Sequence, residues 1–309
     1  AAAARLAQRQ RAADARALLQ QAASDRRGEA AFAGLTAEWY RAEVLTGTRA
    51  TMLELVNEAL ADDQTEAVVA TFGGREPDAD ATLRRAEVAY ITGQILSQIN
   101  RPADAEALYR AALELHPKHA WAANNLGYAM AERGENLDEA EALLEMAHVE
   151  RPGETSITDS LGWVRYRRGV IFDEPRADGT VRQGALTLLR EAVELGGDAA
   201  SPEIFEHLGD AAWVAGEQAE STAAYERAAQ LLDRARADAK AADQPDEGEV
   251  RRLDTERRRV ETKAQLARTG RPPGVTRHEP ANLPPPPIST PTAPAPNAPN
   301  NTSSDDPSE

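Results

Sequence analysis

The sequence predicts an all-α protein whose helices stack in a row as helix-turn-helix repeats, which is the architecture of an α-solenoid. Two observations lead to this prediction. Glycines recur at intervals of about one repeat, and a small, a large and a small residue follow each of them about one helix later. The spaced glycines are Gly93, Gly127, Gly162 and Gly209. Self-similarity at a fixed period indicates an array in which each repeat packs only on its neighbours.

The three residues that follow each glycine keep the same spacing among themselves in all four repeats. They are Ala105, Tyr109 and Ala112; Ala140, Leu144 and Ala147; Ala185, Leu189 and Ala192; and Ser221, Tyr225 and Ala228. Small residues on two antiparallel helices let the helix axes approach within roughly 8–10 Å, and one large side chain fills the gap that remains. We therefore expect each large residue to lie between the two helices of its repeat.

The repeat ends add a further signal, because Pro117 and Pro152 stand where a second helix must stop. With Leu-Gly, then Ala-x-x-x-large, then Pro, the chain resembles the tetratricopeptide-repeat family. The stretches NNLGYAMAERGENLDEAE and DSLGWVRYRRG are similar to those of bacterial members. The resemblance implies a right-handed solenoid over residues 86–235. Its four repeats are predicted at 86–119, 120–154, 155–201 and 202–235.

The flanks of the array differ in composition. Residues 1–85 have apolar residues at helical spacing and are predicted to form diverged, repeat-like helices. Residues 236–270 are predicted to contain a capping helix with a thin apolar stripe, formed by Val250, Leu253, Val260 and Leu266. Residues 271–309 are rich in proline and are predicted to be a disordered tail. Within that tail, NLPPPPISTPTAPAP suits either a spacer or a segment that docks in an aromatic groove.

Composition narrows the possible partners. The formal net charge of −16 argues against nucleic acid, because phosphate binding needs a basic surface. The chain has no cysteine, and it has no apolar run of the roughly 18 residues that a membrane span needs. It begins at Ala1 without Met, so we interpret it as a processed or excised piece. The compartment stays open, with the cell envelope favoured over the cytoplasm by the bacterial resemblance.

Catalytic and metal-binding patterns are not evident in the sequence. His116 and His119 surround Pro117, but no further His or Cys lies near them in sequence, whereas a metal site needs three or four ligands. Phosphate-binding, dinucleotide-binding and nucleophile-elbow motifs are missing as well. We therefore expect a protein that is not an enzyme and that uses neither a metal nor another cofactor.

The resemblance implies that the first helix of each repeat lines an inner groove, and helical periodicity agrees, because the positions concerned share one face. The groove residues predicted in this way are Tyr90, Gln94, Trp121, Asn124, Tyr128, Asp159, Trp163, Tyr166, Arg167, Glu206, Asp210 and Trp213. Three of the four tryptophans are among them. Aromatic residues dominate binding hot spots, so ligand contact is favoured. The alternative is that Trp163 and Trp213 pack between adjacent first helices.

The charged residues of the predicted groove indicate what kind of segment it binds. Four acidic residues lie in the C-terminal half of the predicted groove, namely Asp159, Glu203, Glu206 and Asp210, and Arg167 is the one cation there. Some family members clamp a peptide carboxylate with Lys and Asn, but the groove lysines are missing here. We therefore expect the partner to be a protein or peptide with an apolar or basic segment. Two alternatives remain: a structural spacer or oligomerisation array, and a regulatory module of a larger enzyme.

An insertion interrupts the third repeat at residues 170–183. Its sequence, VIFDEPRADGTVRQ, has the pattern of a small hairpin around an Asp-Gly turn. Arg165 stands where this repeat class usually packs an apolar or aromatic residue. We therefore expect Asp173 or Glu174 of the insertion to pair with Arg165. A loop of this length is either functional or simply tolerated.

Overall fold

The computed structural model describes residues 81–242 and 245–274, together with Val44, residues 47–49 and Met52. In this part of the chain, nine α-helices and a two-stranded hairpin follow one another. The first six helices are α1 (Ala81–Gln98), α2 (Pro102–Leu115), α3 (Ala120–Arg133), α4 (Leu137–Glu150), α5 (Thr155–Arg167) and α6 (Ala185–Gly196). The last three are α7 (Pro202–Val214), α8 (Gln218–Ala241) and α9 (Glu247–Arg268). The predicted all-α solenoid is confirmed.

Successive helices pair within the ranges predicted for the four repeats, with two differences at the ends. Helix α1 begins at Ala81, ahead of residue 86, and α8 continues to Ala241, beyond residue 235. Residues 236–241 therefore extend the last repeat helix, and the helix that follows it begins at Glu247. The other residues of 1–80 and residues 275–309 lie outside the described part of the chain. Most of the predicted N-terminal helices and most of the predicted tail therefore lie outside it as well.

Each spaced glycine lies against the large residue of its own repeat. A Cβ placed on Gly93 would lie 2.5 Å from the Tyr109 ring, and one on Gly209 would lie 2.5 Å from the Tyr225 ring. A Cβ on Gly127 would lie 2.8 Å from Leu144 Cγ. These separations are shorter than van der Waals contact, so the two helices can come this close only when the residue has no side chain. The packing predicted from the repeat pattern is confirmed.

The first helices of the repeats form the inner face of the array. Helix α3 contacts α5, and α5 contacts α7, whereas α2, α4 and α6 make little or no backbone contact with one another. Helices on the inside of a curved stack lie closer together than those on the outside. We call the surface presented by α3, α5 and α7 the inner face.

The insertion of the third repeat forms the predicted hairpin. Strand β1 (Glu174–Pro175) pairs antiparallel with β2 (Val181–Arg182), and Glu174 lies opposite Arg182. Gly179 in the turn has a φ of +83°, which glycine adopts without strain. The hairpin lies against α4, where Arg182 Nε donates to Glu141 Oε1 at 3.1 Å and Arg176 Nη2 lies 3.2 Å from Glu145 Oε1.

The expected pairing of Arg165 with the insertion's acids is wrong. Arg165 Nε donates to Glu141 Oε1 at 3.0 Å, and its Nη2 donates to Glu145, which lies on α4 together with Glu141. Asp173 instead accepts hydrogen bonds from the Gly184 backbone N–H and from Thr187 Oγ1, both at 2.7 Å, at the start of α6. The buried carboxylate of Glu141 on the preceding helix outcompetes the more exposed acids, because a charge pair gains strength away from water.

Helix α9 closes the array. It packs along α8 and buries Leu253, Val260, Ala264 and Ala267, whereas Val250 and Leu266 of the predicted stripe are only half-buried. At the opposite end, Val44 and Met52 are fully buried in the same apolar core as α1. Both ends of the described array are therefore covered by further parts of the chain. Among the described residues, no helix is long and apolar enough to cross a membrane.

Candidate binding groove

Trp163 on α5 lies at the centre of the inner face. Its ring stacks with that of Tyr166, with centroids 5.0 Å apart, and with that of His207, with centroids 4.1 Å apart. Both pairs are within 15° of parallel. Its Nε1 donates to Glu132 Oε1 at 2.6 Å. The Arg167 guanidinium lies over the same ring, 5.7 Å from its centroid, and Trp163 is 7% exposed. A ligand on the inner face can therefore contact only a small part of this side chain.

His207 on α7 forms a buried ion pair with Asp159 on α5. The ring Nδ1 lies 3.0 Å from Asp159 Oδ1, and both side chains are buried. Burial alone would lower the pKa of His207, but the Asp159 carboxylate outweighs burial and raises that pKa to about 9. The imidazole is therefore protonated at neutral pH, so Nδ1 donates and the two charges neutralise each other.

Two acids of α7 pair with two cations of α9. Glu206 and Asp210 lie one turn apart, and so do Arg259 and Lys263. Lys263 Nζ lies 2.8 Å from both Glu206 Oε1 and Asp210 Oδ1, and Arg259 Nη2 donates to Glu206 Oε2 at 2.8 Å. Asp210 also accepts a hydrogen bond of 2.6 Å from the Tyr225 hydroxyl. Burial raises the pKa of Asp210, although Lys263 acts in the opposite direction.

A cavity of about 970 Å³ opens between the inner face and α9. It exists because α9 packs on α8 and makes little backbone contact with α7, so that only long side chains bridge the gap. We call it the groove cavity. Its lining includes Glu132, Trp163, Arg167, Glu203, Glu206, His207, Asp210, Arg252, Arg259, Thr262, Lys263, Pro273 and Gly274.

Four of the predicted groove residues line the groove cavity: Trp163, Arg167, Glu206 and Asp210. Asp159 and Tyr166 lie directly behind it, against His207 and Trp163. Tyr128 is half-buried beside it, and its hydroxyl donates to Glu203 Oε1 at 2.6 Å. Burial, together with the nearby carboxylate of Glu203, raises the pKa of Tyr128.

The other predicted residues lie elsewhere. Tyr90 is buried against Tyr109 and His119, and Trp121 lines a separate small cavity beside His116 and His119. Gln94 is half-buried and Asn124 is buried, both towards the N-terminal end of the array. Trp213 packs at the edge of the apolar cluster that joins α7, α8 and α9. The structure therefore brings one of the three predicted tryptophans into the groove cavity.

The charge expected for the C-terminal half of the groove needs correction. Arg167 is not the one cation of the C-terminal half, because Arg252, Arg259 and Lys263 of α9 and protonated His207 line the same space. The predicted acidity came from the repeats alone, without α9. A signal for the missed residues did exist: Glu206 and Asp210 are four residues apart, as are Arg259 and Lys263, so each pair presents both charges on one side of its helix.

The small cavity at the HPKH turn has a structural explanation. His119 Nδ1 accepts a hydrogen bond from the Ala122 N–H at 3.2 Å and so caps the start of α3, while its Nε2 lies 3.4 Å from Glu87 Oε1. Within the described ranges, no three His, Asp or Glu side chains are grouped so that they could hold a metal ion.

Comparison with known proteins supports the repeat type predicted from the sequence. Residues 99–156 match the tetratricopeptide repeat family. A TPR repeat-containing protein of Pseudomonas aeruginosa is 31% identical over 121 residues, which are 39% of this chain and 18% of that protein. Residues 99–156 are therefore of tetratricopeptide-repeat type. The match spans less than a fifth of the length of the curated relative. Tetratricopeptide-repeat proteins generally serve as scaffolds for protein–protein interaction.

Two solved structures are similar to this chain at low identity. One, MamA MSR-1, is 16% identical with a TM-score of 0.37, and the similarity covers 63% of this chain and 98% of that one. The thermophilic TPR protein TTC0263 of Thermus thermophilus is 18% identical with a TM-score of 0.38, over 67% of this chain and 98% of that one.

Proposed function

We propose that this protein is a non-catalytic adaptor whose groove cavity binds an extended, uncharged and mainly apolar segment of another protein. The observation that carries the proposal is the groove cavity itself, a space of about 970 Å³ walled by α5, α7 and α9. Binding pockets are typically concave spaces of about 300–1,000 Å³ with a few placed polar groups. A short stretch of extended chain fits in this volume.

The charges around the groove cavity decide between an uncharged and a basic segment. Glu206 and Asp210 are held by Lys263, and Arg252 lies between Glu249 and Glu256 at 2.6 Å from each. A basic ligand would have to displace these cations from their partners, at a cost that offsets the new ion pairs. An uncharged segment leaves the pairs intact, so we favour it over the basic segment expected from the repeats alone.

Hydrogen-bond donors on the α9 side suit a backbone ligand. The guanidinium groups of Arg252 and Arg259 are exposed, and each carries more N–H donors than its ion pairs use. Extended peptides present unpaired backbone carbonyls, which such donors recognise without selecting one sequence.

The experiment blocks the groove cavity without removing any of its ion pairs. Thr262 is exposed on α9 and lines the cavity, so Thr262→Phe should fill part of the space. Thr255 is a matched control on the same helix: it is exposed, lies outside the lining, and its hydroxyl likewise donates to the carbonyl four residues earlier. Both variants should first show the helical circular dichroism of the wild type.

Partners are then captured from the source cells with the wild type and both variants, and the affinity of each recovered partner is measured with purified proteins. We expect Thr255→Phe to bind like the wild type and Thr262→Phe to bind at least tenfold more weakly. Equal affinity of all three proteins would contradict the groove cavity as the binding site. Recovery of no partner, together with concentration-dependent self-association, would favour a structural spacer.

A further inference from the structure

The chain that follows α9 runs along the wall of the groove cavity. Gly270, with a φ of +70°, ends the helix, and the Arg271 N–H donates to the Leu266 carbonyl at 2.9 Å, which turns the chain back. Pro273 is then buried between the exposed Pro272 and Gly274. Both Pro273 and Gly274 line the groove cavity. The next part of the chain therefore starts at this cavity and not at a distant surface.

The sequence beyond this point has the chemistry that the groove cavity fits. Residues 281–300 contain no charged residue, and residues 284–287 are four consecutive prolines. Proline fixes φ and has no N–H, so such a segment offers mainly backbone carbonyl acceptors in an extended form. The exposed donors of Arg252 and Arg259 complement these acceptors. Because the charges of the cavity are already paired, an uncharged segment disturbs none of them.

The covalent connection makes even weak docking effective. Residue 281 lies seven positions after Gly274. At about 3.1 Å per residue in an extended proline-rich chain, this stretch reaches roughly 20 Å. Short tethers give an effective concentration on the order of 1 mM. A segment with an intrinsic dissociation constant of about 0.1 mM would thus occupy its site most of the time.

We propose that residues 281–296 of this chain occupy the groove cavity and compete there with the segments of other proteins. The proposal rests on the proposed function, because it assigns an internal competitor to the same site. The tail then acts as an autoinhibitory contact, and a partner must bind tightly enough to displace it. Release of the tail raises the apparent affinity for every ligand of the cavity.

The test uses a fluorescently labelled synthetic peptide of residues 281–296 as the probe. Binding is measured by anisotropy to the full chain and to a full-chain variant in which Pro284, Pro285, Pro286 and Pro287 are each replaced by Ser. These substitutions lie outside the helices described here. We expect the variant to bind the probe about tenfold more tightly than the wild type, since its own tail no longer competes. Adding Thr262→Phe should abolish that binding, and adding Thr255→Phe should preserve it.

Three results would overturn the proposal: no binding of the probe to either chain, equal binding to both, or binding that survives Thr262→Phe. The capture of partners described above separates this inference from the function on which it rests. If partner binding depends on Thr262 while the probe behaves in any of these three ways, the tail is not the competitor and the groove cavity keeps its proposed role. If neither the partner nor the probe depends on Thr262, both proposals fail.

Discussion

The Lys263 ammonium lies 2.8 Å from Asp210 Oδ1 and 3.0 Å from Asp210 Oδ2, and this ion pair joins the last helix to the floor of the groove cavity. The same ammonium reaches Glu206 at 2.8 Å. Both acids are buried, so their charges depend on α9 for compensation. Helix α9 is consequently a wall of the groove as well as a cap of the array.

Removal of this cation should weaken the docking of α9. We expect Lys263→Ala to lower the free energy of unfolding by about 3 kcal/mol, because it leaves two buried carboxylates with fewer partners. The measurement is urea denaturation followed by circular dichroism. Arg251→Ala is the control, since Arg251 pairs with Glu247 on the exposed side of α9. Equal stability of the two variants would show that Lys263 does not hold the helix in place.

The buried His207–Asp159 pair predicts a stability that falls in alkaline solution. The pKa of His207 is about 9 in the folded protein and close to 6.5 in the unfolded chain. The pair therefore contributes fully below about pH 6.5, and its contribution is lost as the pH rises through about 9. We expect the wild type to lose about 3 kcal/mol between these limits, as the shift implies.

His207→Gln provides the comparison for that loss, because glutamine does not titrate. Denaturation of both proteins at about pH 6.5 and about pH 9.5 gives two differences in the free energy of unfolding. The wild type should show the larger decrease. If the two decreases are the same, the pair does not shift the titration of His207 on folding.

The hairpin of the third repeat should depend on Glu141. Arg165, Arg168 and Arg182 all pair with this carboxylate, and they hold its pKa below the usual range even though burial acts in the opposite direction. We expect Glu141→Gln to release the hairpin and to speed tryptic cleavage after Arg176 severalfold. Glu174→Gln, which removes only an exposed partner of Arg182, should change the cleavage rate little.

Lowering the pH tests the same network. A carboxyl group with a depressed pKa contributes stability above its unfolded-state value, and that contribution is lost as the pH falls through the folded-state pKa. Wild-type stability should therefore decrease below about pH 4.5, and Glu141→Gln should show a smaller decrease. Identical acid profiles of the two proteins would contradict this explanation.

The close contact between Gly209 and Tyr225 predicts a steric penalty. We expect Gly209→Ala to cost about 2 kcal/mol of stability, because the added Cβ meets the Tyr225 ring at 2.5 Å and overpacking of a core is destabilising. Tyr225→Leu should make room, so the penalty of Gly209→Ala should be smaller in that background. A penalty of the same size in both backgrounds would place its cause elsewhere, in helix propensity for example.

The repeat pattern was sufficient to predict the fold because its information is local. Glycine and its large partner, such as Gly127 and Leu144, recur at a fixed spacing and report directly on helix packing. The hairpin could be predicted for the same reason, since Asp178 and Gly179 determine the turn in a few residues.

The groove could be predicted only in part, because its charges come from residues far apart in sequence. Lys263 meets Asp210 across 53 residues, and nothing in either helix alone shows that they are paired. The same holds for Arg165, whose partner Glu141 lies on the helix before it and not in the insertion after it. Trp121 and Trp213 fell on the predicted face, but Trp121 lines a separate cavity and Trp213 packs against the apolar cluster of α7, α8 and α9.

The most direct test of the proposed adaptor function is site-specific photocrosslinking in the source cells. A photoreactive amino acid replaces Thr262, which lines the groove cavity, in one variant of this chain. In a second variant it replaces Val149, which is 75% exposed on the outer helix α4. We expect the probe at Thr262 to form a covalent product with another protein, and the probe at Val149 to form none with that same protein. A product that forms equally from both positions, or only from Val149, would contradict binding in the groove cavity.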